Sequence, residues 1–136
     1  MKKVSIGSWA YVFGAFANDP ILLPQLCEKL SELGFDGISM GGFKPHAHPD
    51  LYDTPAQKAE LKKLLKDYKL EVADYAADLW SVDSLKQTKE WLALFDKSVQ
   101  FMDDLGWKTI RIDSGTPPVL PEGMSYEAAK DVIKES

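Results

Sequence analysis

Apolar positions along the chain alternate between two rhythms. At helical spacing, Leu26, Leu30 and Leu33 form one stripe; Leu61, Leu64, Leu65 and Tyr68 form a second; Trp91, Phe95, Val99 and Met102 form a third. Between the stripes lie short runs that read as strands: Val4 to Tyr11, Gly37 to Met40, Glu71 to Ala76 and Lys108 to Asp113. Gly37 to Met40 is too short and too apolar for an exposed strand, and suits one covered on both faces. Tyr126, Ala129, Val132 and Ile133 begin a fourth helical stripe behind Ser125, a candidate cap.

The rhythms repeat as a unit. Leu33-Gly34-Phe35-Asp36-Gly37-Ile38-Ser39-Met40-Gly41-Gly42 reads as helix end, glycine turn, strand and glycine loop. Leu105-Gly106-Trp107-Lys108-Thr109-Ile110-Arg111-Ile112-Asp113-Ser114-Gly115 has the same order, and Tyr68-Lys69-Leu70-Glu71-Val72-Ala73-Asp74-Tyr75 is a middle copy. A period of about 36 residues with one helix and one strand per copy is a βα unit. Four such units predict a parallel α/β sheet with right-handed crossovers, either doubly wound or half of a (β/α)8 barrel.

Two helix starts stand out. Asp19-Pro20 predicts the first helix, with aspartate as cap and proline at its first position. Thr54-Pro55-Ala56-Gln57 predicts the second, Gln57 closing a capping box. The third begins between Asp83 and Thr88 and ends at Leu105. In the first strand Val4, Ile6 and Ser8 share one face, and Ser5, Gly7 and Trp9 the other. Aligning the repeats places Ser39, Asp74 and Arg111 in equivalent positions. Arg111 and Asp113 then face away from the helices, and Asp74 pairs with Arg111.

Composition narrows the classes. The 136 residues, 45 % hydrophobic and 27 % charged, suit one globular domain, 1–136. A net charge of −5 supplies no electrostatic footprint for nucleic acid. No run approaches a membrane span, and no signal-peptide pattern follows Met1, so the cytoplasm is expected. The single cysteine, Cys27, excludes a disulfide framework and reads as a small buried hydrophobe. No GxGxxG or P-loop follows the first strand, so nucleotide binding has no support.

Val4-Ser5-Ile6-Gly7-Ser8-Trp9, Leu33-Gly34-Phe35-Asp36-Gly37-Ile38, Leu70-Glu71-Val72-Ala73 and Leu105-Gly106 together resemble the N-terminal half of the xylose isomerase-like TIM barrels. That superfamily includes sugar phosphate isomerases and epimerases, hydroxypyruvate isomerase and endonuclease IV type nucleases. The resemblance implies a (β/α)4 half-barrel, completed by a missing C-terminal half or by a second copy in a homo-oligomer. A fragment ending within the fourth helix is the first expectation; a flattened, flavodoxin-like sheet is a further alternative. A sugar or sugar phosphate is the implied partner, and metal-dependent aldose–ketose isomerisation or epimerisation the implied activity. The family's divalent metal (Mn, Mg, Co or Zn) is held mainly from later strands, so no cofactor is expected in this chain alone, and it is expected to be inactive alone. A non-catalytic half-barrel, acting through assembly or small-ligand binding, is the alternative. The family's fourth strand often ends His-Pro-Gly; here Asp113-Ser114-Gly115 stands instead, which counts against the nuclease branch.

Barrel sites lie where strands exit. That selects Trp9, His46 and His48, Asp78 and Trp80, and Asp113 as substrate-binding candidates: indole faces for the apolar side of a sugar, histidine and carboxylate for hydroxyls. Each has a plainer role open to it: packing for the tryptophans, a stiff loop between Pro45 and Pro49 for the histidines, a turn cap for Asp78. A zinc nuclease relative would instead bind zinc through His46 and His48.

Overall fold

The computed structural model describes residues 2–112 and 120–135. Strands and helices alternate: β1 (Ser5–Gly7), α1 (Leu23–Glu32), β2 (Gly37–Gly41), α2 (Pro55–Asp67), β3 (Glu71–Ala76), α3 (Thr88–Leu105), β4 (Ile110–Arg111) and α4 (Tyr126–Glu135). The four strands form one parallel sheet in the order β1-β2-β3-β4. That order decides between the two architectures. A doubly wound or flavodoxin-like sheet reverses direction at a switch point. Here every crossover steps the same way, and right-handed crossovers of that kind put the helices on one face. The sheet is therefore the barrel type.

The core lies between sheet and helices. Ile38, Met40 and Tyr75 pack from the strands against Leu26, Leu30, Leu61, Leu65, Phe101 and Leu105 from the helices. Tyr75 is fully buried; its ring lies 5.7 Å from Phe101 and 5.4 Å from Trp107. Its hydroxyl donates to the Ala47 carbonyl at 3.2 Å, so the loop after β2 is pinned to the core. The opposite face, the lumen side, carries Gly7, Ser39 and Asp74 in one row and Gly41, Ala76 and Arg111 in the next.

The helix ends repeat one device. Gly34 and Gly106 follow α1 and α3 with φ of 79° and 76°, and Lys69 takes the same left-handed place after α2 at 56°. The next residue then closes back on the helix: Phe35, Leu70 and Trp107 donate N–H to Leu30, Leu65 and Met102 carbonyls at 2.9–3.0 Å. At the other end of α2, the Gln57 N–H donates to Thr54 Oγ1, and the Thr54 N–H to Gln57 Oε1. The α4 cap at Ser125 receives the Ala128 N–H.

Several boundaries differ from expectation. α1 starts at Leu23, not at Asp19-Pro20. The Ile21 N–H is bonded to the Tyr11 carbonyl at 3.1 Å and the Ile21 carbonyl to His46, so the segment is tied across the chain before a helix can begin. β1 ends at Gly7, because Ser8–Tyr11 turns into a 3-10 helix. β4 covers only Ile110–Arg111 among the described residues. On α3, Val99 is 38 % exposed; Ser98 takes the core position, its hydroxyl satisfied by the Leu94 carbonyl at 2.8 Å. On α4, Ala129 is buried while Tyr126 is 69 % exposed.

The expected Asp74–Arg111 pair is replaced. β3 bulges at Ala73: Ile38 pairs with Val72 but Ser39 with Asp74. Asp74 then accepts a 2.7 Å hydrogen bond from the Ser39 hydroxyl. The register sets Arg111 beside Ala76, two residues further on.

Candidate functional site

Trp9 enters the lumen side because the strand stops early. The 3-10 turn after Gly7 folds the indole back over that glycine, whose missing Cβ leaves the room. The Arg111 guanidinium lies 5.4 Å from the Trp9 ring centroid, a cation–π contact between the exits of β1 and β4. Ser8 is buried beside them and accepts the Gly41 N–H at 2.7 Å, which fixes the exit of β1 against β2.

The glycine loop after β2 serves close approach. The Gly42 N–H donates to the Ala76 carbonyl at 2.8 Å, and a Cβ on Gly42 would stand 2.5 Å from the Tyr75 hydroxyl. Gly42 thus lets the loop lie flat on β3, and Phe43 follows at the strand exit. Phe43 meets Phe13 edge to face at 4.9 Å.

This aromatic pair divides the strand-exit end into two clefts. The first, about 640 Å³, is lined by Trp9, Phe13, Phe43, Trp80 and Arg111. Trp9 is 37 % exposed and Trp80 55 %, so both rings reach solvent at its walls. The second, about 490 Å³, shares Phe13 and Phe43 and adds Lys44, His48, Asp78 and Ser81.

The expected site residues separate accordingly. Trp9 and Trp80 stand in the first cleft, His48 and Asp78 in the second. His46 is fully buried and donates Nε2–H to the Ile21 carbonyl at 2.7 Å, so it braces the loop from inside. Burial pushes its pKa below the ordinary histidine value. His48 Nδ1 accepts the Asp50 N–H at 3.1 Å, and burial lowers its pKa too. The two rings are thus bonded separately. Asp113 lies outside the described residues. Phe13, Phe43 and Arg111 join the site without a sequence signal: the aromatic pair carries no motif, and the repeat alignment assigns Arg111 to Asp74.

Asp50 anchors the rim of the second cleft. Its carboxylate accepts from Lys97 at 2.7 Å and Lys44 at 3.1 Å, joining the loop to α3. Those bonds hold its pKa down to about 2. Cys27, in α1, is buried with its thiol pushed up to about 11, which makes it unreactive.

The metal that the resemblance implies finds no group of three His, Cys, Asp or Glu side chains among the described residues. These residues do not form a cation site by themselves. Among the described residues no helix is long and apolar enough to cross a membrane.

A parallel sheet in sequential order with its crossover helices on one face is the architecture of a TIM-barrel protein. The family model described as xylose isomerase-like TIM barrel matches residues 27–136, and the chain belongs to that family. No curated protein matches it.

Proposed function

We propose that the chain forms part of the substrate wall of a sugar or sugar phosphate isomerase or epimerase, with the sugar held in the first cleft. The observation that carries this reading is that Trp9, Trp80 and Arg111 line one cleft at the strand exits, with the guanidinium over the Trp9 ring. Indole faces stack on the C–H side of a sugar, and a guanidinium donates to its oxygens. His48 and Asp78 meet hydroxyls beyond the Phe13–Phe43 ridge, His46 holds their loop, and Asp113 is a further hydroxyl-binding carboxylate.

Proton transfer next to a carbonyl needs a base and a polarising group. In this reading both come from further strands, which close the barrel against β1 and β4 as the rest of a longer chain or as a second copy. A divalent metal held there would polarise the substrate oxygens. The chain alone is then inactive, and a cytoplasmic setting goes with the same proposal.

Titration of the chain with D-xylose and D-fructose, read by tryptophan fluorescence, tests the reading. Saturable binding is expected, weakened about tenfold or more in Trp9→Ala. Trp9 is 37 % exposed and outside the core cluster, and circular dichroism checks that the variant keeps its fold. Equal affinity of the two proteins overturns the proposal.

A further inference from the structure

We infer that the cleft beyond the Phe13–Phe43 ridge is a second sugar subsite, and that the ligand is an uncharged disaccharide or larger glycoside spanning both clefts. The inference rests on reading the first cleft as a sugar site and names the class of sugar it takes.

Three observations carry it. The clefts are adjacent, since Phe13 and Phe43 line both. Each volume, about 640 and about 490 Å³, falls in the range of small-molecule sites. A monosaccharide held in the first cleft can send a hydroxyl past the ridge to His48 or Asp78, but leaves most of the second cleft open.

The second cleft also has the composition a sugar ring needs. Its ridge is aromatic, and Asp78, Ser81 and His48 line the same cleft. With His48 Nδ1 accepting from Asp50, its proton is on Nε2, which is a donor. A carboxylate, a hydroxyl and an imidazole N–H can accept from and donate to vicinal hydroxyls, while the phenyl rings cover the C–H face.

Charge argues for a neutral ligand. Lys44 is bonded to one oxygen of Asp50 and Lys97 to the other. His48 Nδ1 is taken up as an acceptor and burial disfavours its charged form, while the Asp78 carboxylate belongs to the same wall. A phosphate would have to compete with Asp50 for both lysines and approach Asp78. A second sugar ring meets neither obstacle.

The test uses the full chain and saturation-transfer NMR with competition. The probes are D-glucose, cellobiose, maltose and glucose 6-phosphate. At least one disaccharide is expected to bind about tenfold tighter than glucose, with saturation transferred to both rings. Ser81→Trp, at an exposed position, plugs the second cleft without touching the core, and brings the disaccharide-to-glucose affinity ratio to about one. His48→Ala lowers the same ratio. Disaccharide and glucose binding equally, saturation confined to one ring, or a ratio unmoved by Ser81→Trp overturns the second subsite while leaving the first. A preference for glucose 6-phosphate overturns the neutral ligand. Failure of every sugar, glucose included, overturns the reading of the first cleft as well.

Discussion

Gly7 is the residue on which the site geometry turns. Its backbone is ordinary, with φ of −75°, so alanine is tolerated by the chain itself. A Cβ there would collide with the Trp9 indole, a rigid ring that must move as a whole. Gly7→Ala is therefore expected to displace Trp9 from Arg111. The measurement is tryptophan emission together with sugar titration. A shifted emission maximum and weaker binding support the arrangement, whereas an unchanged spectrum refutes it. The buried histidines set a pH dependence at the same scale. Burial lowers the pKa of His46 and His48 below 6.5, so above that pH neither state takes the proton. Below it the unfolded chain binds protons that the folded chain resists, and stability falls as the pH drops. Melting temperature should decline from pH 7.5 to pH 5.5. His46→Gln, which keeps a donor for Ile21, should show a shallower slope; parallel curves would remove His46 from the account.

Among elements, the three helix ends form a natural experiment. Gly34 and Gly106 occupy the left-handed turn at no steric cost, but after α2 the same turn is made by Lys69 at φ 56°. A side chain in that region costs about 1–2 kcal/mol, partly offset because glycine loses more entropy on folding. Lys69→Gly is expected to stabilise the chain by up to about 1 kcal/mol, and Gly106→Ala to destabilise it by about 1 kcal/mol. Chemical denaturation of the two variants checks both signs, and a loss of stability in Lys69→Gly contradicts the equivalence of the turns. This repeat is also why the elements were legible in sequence. Gly34, Lys69 and Gly106 mark strands that begin at Gly37, Glu71 and Ile110, and Thr54 with Gln57 marks α2. The boundaries that escaped were set by distant partners. Nothing near Asp19 and Pro20 announces that Ile21 is bonded to Tyr11 and His46. Val99 falls in the apolar stripe by spacing, yet Ser98 takes the core position because the Leu94 carbonyl satisfies its hydroxyl.

For the whole molecule, the sheet order made the difference between two architectures that the periodicity alone left equal. Sequential order puts the crossover helices α1, α2 and α3 on one face and leaves the other to Trp9, Trp80, Arg111, Ser39 and Asp74. Tryptophan and histidine positions at strand exits could be found from sequence once a barrel was supposed. Their division between two clefts could not, because the ridge is made by Phe13 and Phe43, which meet from separate loops. Arg111 escapes the repeat alignment for a similar reason: the β3–β4 register sets it beside Ala76, two residues beyond Asp74, and no local pattern signals that offset. The four tryptophans now report on the two faces independently. Trp9 and Trp80 line the first cleft, while Trp91 stacks on Phe95 and Trp107 packs against Tyr75 in the helix layer. The most direct test of the proposal that the lumen binds sugar is a two-dimensional NMR titration of the four indole N–H signals with D-xylose. The account predicts that the Trp9 and Trp80 signals move together and saturate, with Trp91 and Trp107 unmoved. Shifts at Trp91 and Trp107 with Trp9 and Trp80 silent, or no shift at any of the four, would contradict it.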